Sequence, residues 1–186
     1  EAHIEFFGSR DRIADAKMEI THGLREDGTF VYNGDEPLLR ERAKDLKQGK
    51  KTFGRQLDND IYATSVEQSD HDLRFKVNLW PDEEFTIPMI GEYNVNNAMA
   101  AMMVGHLLHV TSSHLKIGLA NVELTENRAE WLTGQQGEKI LSDVYNSNPT
   151  AVKEVLETLN ELPETGRRLI VLGDMLELGD ASAKLH

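Results

Sequence analysis

Between Ser142 and Thr150 the sequence Ser-Asp-Val-Tyr-Asn-Ser-Asn-Pro-Thr sets an acid (Asp143), a phenol (Tyr145) and two carboxamides (Asn146 and Asn148) around a helix-starting proline. A short apolar run, Lys139-Ile140-Leu141, precedes it, and a strongly periodic segment follows. In an open parallel sheet, the turn from strand to helix is where ligands bind. So many donors and acceptors exceed what a turn needs and suit a nucleotide or a peptide. Three other residues could do chemistry. Lys17 falls within the stripe Ile13, Ala16, Ile20 and Leu24. Either it snorkels at the stripe's edge, or its amine is partly desolvated and open to reaction. In Asn94-Val95-Asn96-Asn97, Asn94 reads as a helix cap and Asn97 as surplus, facing the same way as Ala101. Asn97 either bonds a neighbouring loop or reads the edge of a flat heterocycle, for which a carboxamide has both donor and acceptor. Arg128 lies in a polar, irregular stretch over 120–131, where it is either solvated or clamps a phosphate.

The elements that must position these groups follow from periodicity. Ser9 caps a helix with Asp11 in its first turn, and the stripe carries that helix to about Leu24. Residues 29–90 read as β-rich: Thr29–Tyr32, Lys51–Gly54, Asp60–Val66, Leu73–Leu79 and Glu84–Pro88, with a charged helix over Pro37–Lys47. The last two strands form a hairpin that turns at Trp80-Pro81-Asp82-Glu83. A helix rich in Ala and Met runs from the Asn-rich segment to about His109, and Thr111-Ser112-Ser113-His114 opens a shorter one. After a boundary in the stretch 120–131 the pattern becomes β-α-β. Lys139–Val144 is a strand, and Asn148 caps a helix with Pro149 at its first position. Pro163–Gly166 is the loop, and Arg168–Leu172 is a buried parallel strand. A right-handed crossover would bring Asp143–Asn148 and Gly173–Gly179 to one crevice.

Composition narrows the function. With 32 acids against 20 bases, the net charge of −12 argues against a non-specific nucleic-acid binder. The absence of cysteine removes disulfides, thiolate metal sites and a cysteine nucleophile. No run has membrane-spanning length and no signal peptide is present, so a cytoplasmic protein is expected. There is no Gly-x-x-x-x-Gly-Lys-Ser/Thr and no Gly-x-Gly-x-x-Gly, so neither phosphate-cradling loop can be claimed. The chain starts mid-pattern at Glu1-Ala2-His3-Ile4, without Met, and is expected to be a piece of a longer protein.

Several segments in order resemble the Mur ligases, the ATP-dependent amide-forming enzymes of bacterial peptidoglycan synthesis. They are Ala2-His3-Ile4-Glu5 with Gly8-Ser9 and Ile13 to Ile20; Gly91-Glu92-Tyr93-Asn94-Val95-Asn96-Asn97-Ala98; Asn127-Arg128-Ala129-Glu130; Asp143-Val144-Tyr145-Asn146-Ser147-Asn148-Pro149; and Leu172-Gly173-Asp174-Met175-Leu176-Glu177-Leu178-Gly179 with His186. The resemblance implies an α/β fold in two parts. Residues 1–124 would be part of a central ATPase domain without its phosphate loop, a mixed sheet with helices and a β-rich section. Residues 125–186 would be the first part of a Rossmann-like parallel α/β domain. It implies ATP and Mg2+, and a monomer that inserts in no membrane. ATP would phosphorylate the terminal carboxylate of a UDP-N-acetylmuramoyl-tripeptide, and the amine of D-Ala-D-Ala would attack the acyl phosphate. A folylpolyglutamate synthase-like ligase or a non-catalytic binding module are the alternatives, and this chain alone is expected to be inactive.

By the same resemblance, His3 matches a magnesium-site histidine and Lys17 a carbamylated lysine. Asn94 and Asn97 match the adenine-contacting region, with Asn97 preferred. Arg128 matches an arginine reaching the ATP phosphates, and Asp143 the acid on the ribose hydroxyls. Tyr145, Asn146 and Asn148 face substrate or nucleotide, with Asp174, Glu177 and His186 as weaker candidates on the second loop. Tyr93 stands where the family often has His.

Overall fold

The computed structural model describes residues 3–123, 125–162 and 166–186. Its main feature is a five-stranded sheet in the order β1-β2-β3-β4-β5: β1 Thr29–Asn33, β2 Gly49–Gly54, β3 Ile61–Gln68, β4 Leu73–Val77 and β5 Trp80–Ile87. The first three strands are parallel, and β3, β4 and β5 form an antiparallel meander. Helix α3 (Pro37–Ala43) makes the crossover from β1 to β2. The parallel β2–β3 ladder is short, Phe53↔Ile61 and Gly54↔Tyr62, because the loop between them returns almost at once. Asp35 holds that loop: its carboxylate accepts from the backbone N–H of Arg55 (2.6 Å) and Gln56 (3.1 Å) and from Asn59 Nδ2 (2.8 Å).

Period-two alternation puts Leu73, Phe75 and Val77 of β4 on one buried face, joined by Ile61, Phe85 and Ile87. Against this face packs α4 (Tyr93–Leu107), through Val95, Ala98, Met99, Met102 and Met103. Each large side chain here contributes roughly 1.5–3 kcal/mol by leaving water. The Phe75 and Phe85 rings stack with centroids 6.0 Å apart. Thr111 caps α5 (Ser112–Ala120), accepting from His114 N–H as its sequence predicts, and α5 lies beside β5 and α4. At Gly105 a Cβ would sit 2.7 Å from Leu115 Cδ2, so the missing side chain sets how closely α5 approaches.

The second part holds a hairpin, β6 Glu130–Thr133 with β7 Lys139–Ser142, and the helix α6 Pro149–Glu161. Asn148 caps α6, its Oδ1 accepting from Ala151 N–H at 3.0 Å, with Pro149 at the first position. A small second core gathers Ile90, Ala129 and Leu162, edged by Trp131, Leu141 and Leu159. Ile90 comes from the first part of the chain and the other residues from the second. The short α1 (Ile4–Phe7) touches the far end of the chain, where Glu5 N–H donates to Glu177 O at 3.0 Å. A last short helix, α7, spans Ser182–Leu185.

Several expectations need correction. The β4–β5 hairpin turns at Asn78-Leu79, closed by the pair Val77↔Trp80, and not at 80–83. Pro81 is tolerated within β5 because β5 is an edge strand, where a missing N–H costs no ladder bond. The first long helix is α2 only over Arg10–Met18 and tightens to a 3₁₀ turn over Glu19–Gly23. Its stripe is not a buried one, since Ala14 is the buried residue of α2 and Ile20 is exposed. The stretch 120–131 is not irregular to its end, because β6 begins at Glu130. The parallel pair of the β-α-β pattern does not form among the described residues: β7 pairs antiparallel with β6, and Arg168–Leu172 is not a strand. A parallel strand needs cover on both faces, and Leu169, Ile170, Val171 and Leu172 are exposed. The loop expected at Pro163–Gly166 lies outside the described residues except for Gly166.

Candidate active site

A cleft of about 570 Å³ lies where the two parts meet. One wall is the chain from Ile87 and Met89 into α4, with Tyr93, Asn94, Asn97, Ala98 and Ala101, closed by Leu119 at the end of α5 and by Val122 and Glu123 after it. The other wall is Arg128, Ala129, Asp143, Asn146, Asn148 and the first turns of α6, through Ala151, Glu154 and Val155. Its size suits one small molecule, and its lining mixes apolar side chains with amides, acids and one arginine.

Several of the polar groups are held by their neighbours. Asp143 accepts at Oδ1 from Ala129 N–H, 3.0 Å away. Asn127, one residue before Arg128, binds the same strand end twice: its carbonyl accepts from Tyr145 N–H at 3.2 Å, and its Oδ1 accepts from the Ser142 hydroxyl at 3.3 Å. Asn127 and Ala129 have φ of 61° and 46°. Left-handed backbone costs a residue such as Ala roughly 1–2 kcal/mol, so this bend around Arg128 is imposed by its surroundings. The Arg128 guanidinium lies over the Tyr145 ring, 4.4 Å from its centroid. The first turn of α6 faces the cleft with the positive end of its peptide dipoles, which favours anionic ligands.

On the opposite wall, Asn94 is buried at 5% exposure and is no helix cap. Glu92 occupies the cap position of α4 without a side-chain bond to the helix backbone, its carboxylate accepting from Arg55 instead, and Asn94 lies inside the helix. Its Nδ2 donates to Ile90 O at 2.8 Å, and its Oδ1 accepts from Asn97 Nδ2 at 3.1 Å. Asn97 itself is exposed. Burial pushes the Tyr93 phenol above its ordinary range, Asp143 and Glu154 push it the same way, and Asn94 and Arg128 oppose them more weakly. Tyr93 is therefore a neutral hydroxyl at physiological pH.

The cleft thus brings together Asn94, Asn97, Arg128, Asp143, Asn146 and Asn148, with Tyr145 stacked on Arg128 at its edge. His3, Lys17, Asp174 and Glu177 are not among its lining residues. The expected shared crevice is not formed, since the second loop docks on α1: His3 Nδ1 contacts the Glu177 carboxylate, and Gly179 packs on Glu5. Asp174 is exposed, and His186 Nε2 accepts from Met175 N–H at 2.8 Å. Lys17 is exposed on α2, so of its two readings the structure favours the lysine at the stripe's edge over the desolvated amine. Among the described residues no group of three or more His, Asp or Glu side chains could hold a metal ion. In their unmodified form these residues do not fit a magnesium site. The sequence reading passed over Glu154, whose signal was its place three residues after Ala151, one turn along α6. It noted Tyr93 only as a departure from the family pattern.

A family model described as the Mur ligase middle domain matches residues 1–105, and one described as Mur ligase, glutamate ligase domain, matches residues 127–186. The chain belongs to the Mur ligase family. This Mur ligase chain is 38% identical over 186 residues to the UDP-N-acetylmuramoyl-tripeptide–D-alanyl-D-alanine ligase of Bacillus subtilis, covering 100% of the chain and 40% of that protein. Its structure resembles that of MurF from Acinetobacter baumannii, with a TM-score of 0.89 and 28% identity over 99% of this chain and 40% of the other. It also resembles MurF ligase from Thermotoga maritima in complex with ADP, with a TM-score of 0.84 and 27% identity over 99% of this chain and 42% of the other. The chain spans about 40% of the length of the curated relatives it matches.

Proposed function

We propose that this Mur ligase chain supplies facing walls of the nucleotide cleft in an enzyme that adds D-Ala-D-Ala to UDP-N-acetylmuramoyl-tripeptide. The observation that carries the reading is the gathering of Asn97, Arg128, Asp143, Asn146 and Asn148, from both parts of the chain, around one cleft of nucleotide size. The similarity to ligases named for that reaction supports it, as does the likeness to a relative holding ADP.

In this reading Asn97 offers its carboxamide to the adenine edge. Asp143, fixed by the Ala129 N–H, accepts from the ribose hydroxyls. Arg128, placed over the Tyr145 ring, offers its N–H donors to phosphate oxygens. Asn146 and Asn148 meet substrate at the α6 end, with Tyr145 beside them. The γ-phosphoryl group of ATP passes to the tripeptide carboxylate, giving an acyl phosphate and ADP. The D-Ala-D-Ala amine then attacks the carbonyl carbon: a C–N bond forms, the C–O bond to phosphate breaks, phosphate leaves and the nitrogen gives up a proton. The residues' part is to orient the nucleotide and to meet its charge with fixed donors.

Lys17, as a carbamate, remains a proposed catalytic residue, because carbamylation would turn an amine into an anionic oxygen donor. His3, Asp174 and Glu177 are assigned to the same reaction by family resemblance alone. The domain division at 124/125 and a monomeric, cytoplasmic enzyme belong to the same proposal. Among the described residues no helix is long and apolar enough to cross a membrane.

The deciding experiment is an acceptor screen on the full-length protein that carries this chain. Release of ADP and phosphate should require both UDP-N-acetylmuramoyl-tripeptide and D-Ala-D-Ala. Equal turnover without the dipeptide, or with glutamate in its place, would refute the assignment.

A further inference from the structure

Asn94 lines the cleft, yet its carboxamide is committed elsewhere. It is buried, its Oδ1 accepts from Asn97 Nδ2 at 3.1 Å, and its Nδ2 donates to Ile90 O at 2.8 Å. Ile90 does not line the cleft. Its side chain, 2% exposed, sits in the small core made with Ala129 and Leu162 from the other part of the chain, beside Trp131, Leu141 and Leu159. A continuous path therefore runs from the exposed amide of Asn97, through the Asn94 carboxamide, to the residue that seats one part of the chain on the other.

We propose that Asn94 is a positioning residue: it holds Asn97 at the cleft and Ile90 in its seat with one side chain, so that nucleotide binding and the packing of Ile90 are coupled. The inference rests on the nucleotide reading of the cleft. A buried carboxamide whose oxygen and nitrogen are both engaged has little freedom to turn, and loss of either bond leaves a buried polar group unsatisfied. Anything that fixes Asn97 therefore steadies the Ile90 carbonyl, and anything that loosens Ile90 costs order at Asn97. Coupling of this kind is reciprocal. The Trp131 indole reports on it, because its Nε1 is buried without a hydrogen-bond partner and its ring edges the same core.

The test is a titration of the full-length protein that carries this chain with ADP, followed by the Trp131 indole N–H resonance and the side-chain amide resonances of Asn97. In the wild type, ADP should move both, although Trp131 lies outside the cleft lining. Ile90→Ala should weaken ADP binding about five- to tenfold, within the ordinary range of coupling between sites. Asn94→Leu should shift the Trp131 resonance without ligand, toward its position in Ile90→Ala, and abolish its response to ADP. If ADP moves Asn97 but leaves Trp131 unmoved, or if Asn94→Leu keeps the Trp131 response, the coupling is refuted and the cleft reading survives. If ADP moves neither at millimolar concentration, the cleft reading itself fails. Should Asn94→Leu or Ile90→Ala not fold, Asn94→Asp and Ile90→Val carry the same test. Asn94→Asp keeps the acceptor for Asn97 and loses the donor to Ile90, so it should uncouple Trp131 while Asn97 still responds.

Discussion

The Arg128 guanidinium lies over the Tyr145 ring, 4.4 Å from its centroid, at the edge of the cleft. Both groups are exposed, so the contact fixes direction more than it adds stability. A cation–π contact at an exposed site is worth about 0.5–1 kcal/mol, or roughly two- to fivefold in affinity. Tyr145→Ala should weaken ADP binding by about that factor, while Tyr145→Phe, which keeps the ring, should stay near wild type. Calorimetric titration of both variants checks this. Equal losses in the two would move the role from the ring to the hydroxyl.

Asp60 gives an expected pH dependence of stability. Burial pushes its carboxyl upward, but the bonds from Lys51 Nζ and from the N–H and hydroxyl of Thr52 outweigh this and hold it below the usual carboxylate range. A group with a depressed folded pKa contributes stability above its unfolded pKa of about 3.9 and loses it as pH falls through the folded value. The gap in urea midpoint between wild type and Asp60→Asn should therefore be full at pH 6 and close below pH 4. A gap that stays constant down to pH 2.5 would contradict the assignment.

Gly54 has no room for a side chain. A Cβ there would lie 2.3 Å from Asp35 Oδ1, inside the carboxylate cradle that holds the β2–β3 loop. Gly54→Ala should destabilise the chain by about 1–3 kcal/mol, the usual cost of overpacking, and lower its melting temperature by several degrees. An unchanged thermal melt would show that the loop can move aside.

Lys17 is exposed, so removing its side chain should leave the fold intact. In the full-length enzyme we expect Lys17→Ala to abolish turnover, with partial rescue by a short carboxylic acid, while the melting temperature stays within a degree or two of wild type. Normal turnover would remove Lys17 from the catalytic set.

The parts of the fold legible in the sequence were those fixed by local chemistry. The alternation Leu73, Phe75, Val77 gave β4, the Asn148-Pro149 pair gave the start of α6, and Thr111 gave the start of α5. Long-range choices were not legible. Arg168–Leu172 has the composition of a buried strand, but a buried strand depends on neighbours that pair with and cover it, and among the described residues Leu169 to Leu172 stay exposed. Trp80-Pro81 looks like a turn until β5 is known to be an edge. At the cleft, residue types pointed to Asn97, Asp143 and Arg128, which do line it. They could not show that Asn94 is committed to Ile90, because a hydrogen-bond partner is a fact of packing and not of spacing.

Among the described residues the two parts of the chain also touch away from the cleft: at the seat of Ile90, at the contact of His3 and Glu5 with Glu177, and at the ion pair of Lys139 with Asp70. Anchors spread over separate points resist a swing about any one of them. The walls that carry Asn97 and Asp143 are thus braced from outside the cleft, and cutting one anchor would loosen a wall without touching its lining.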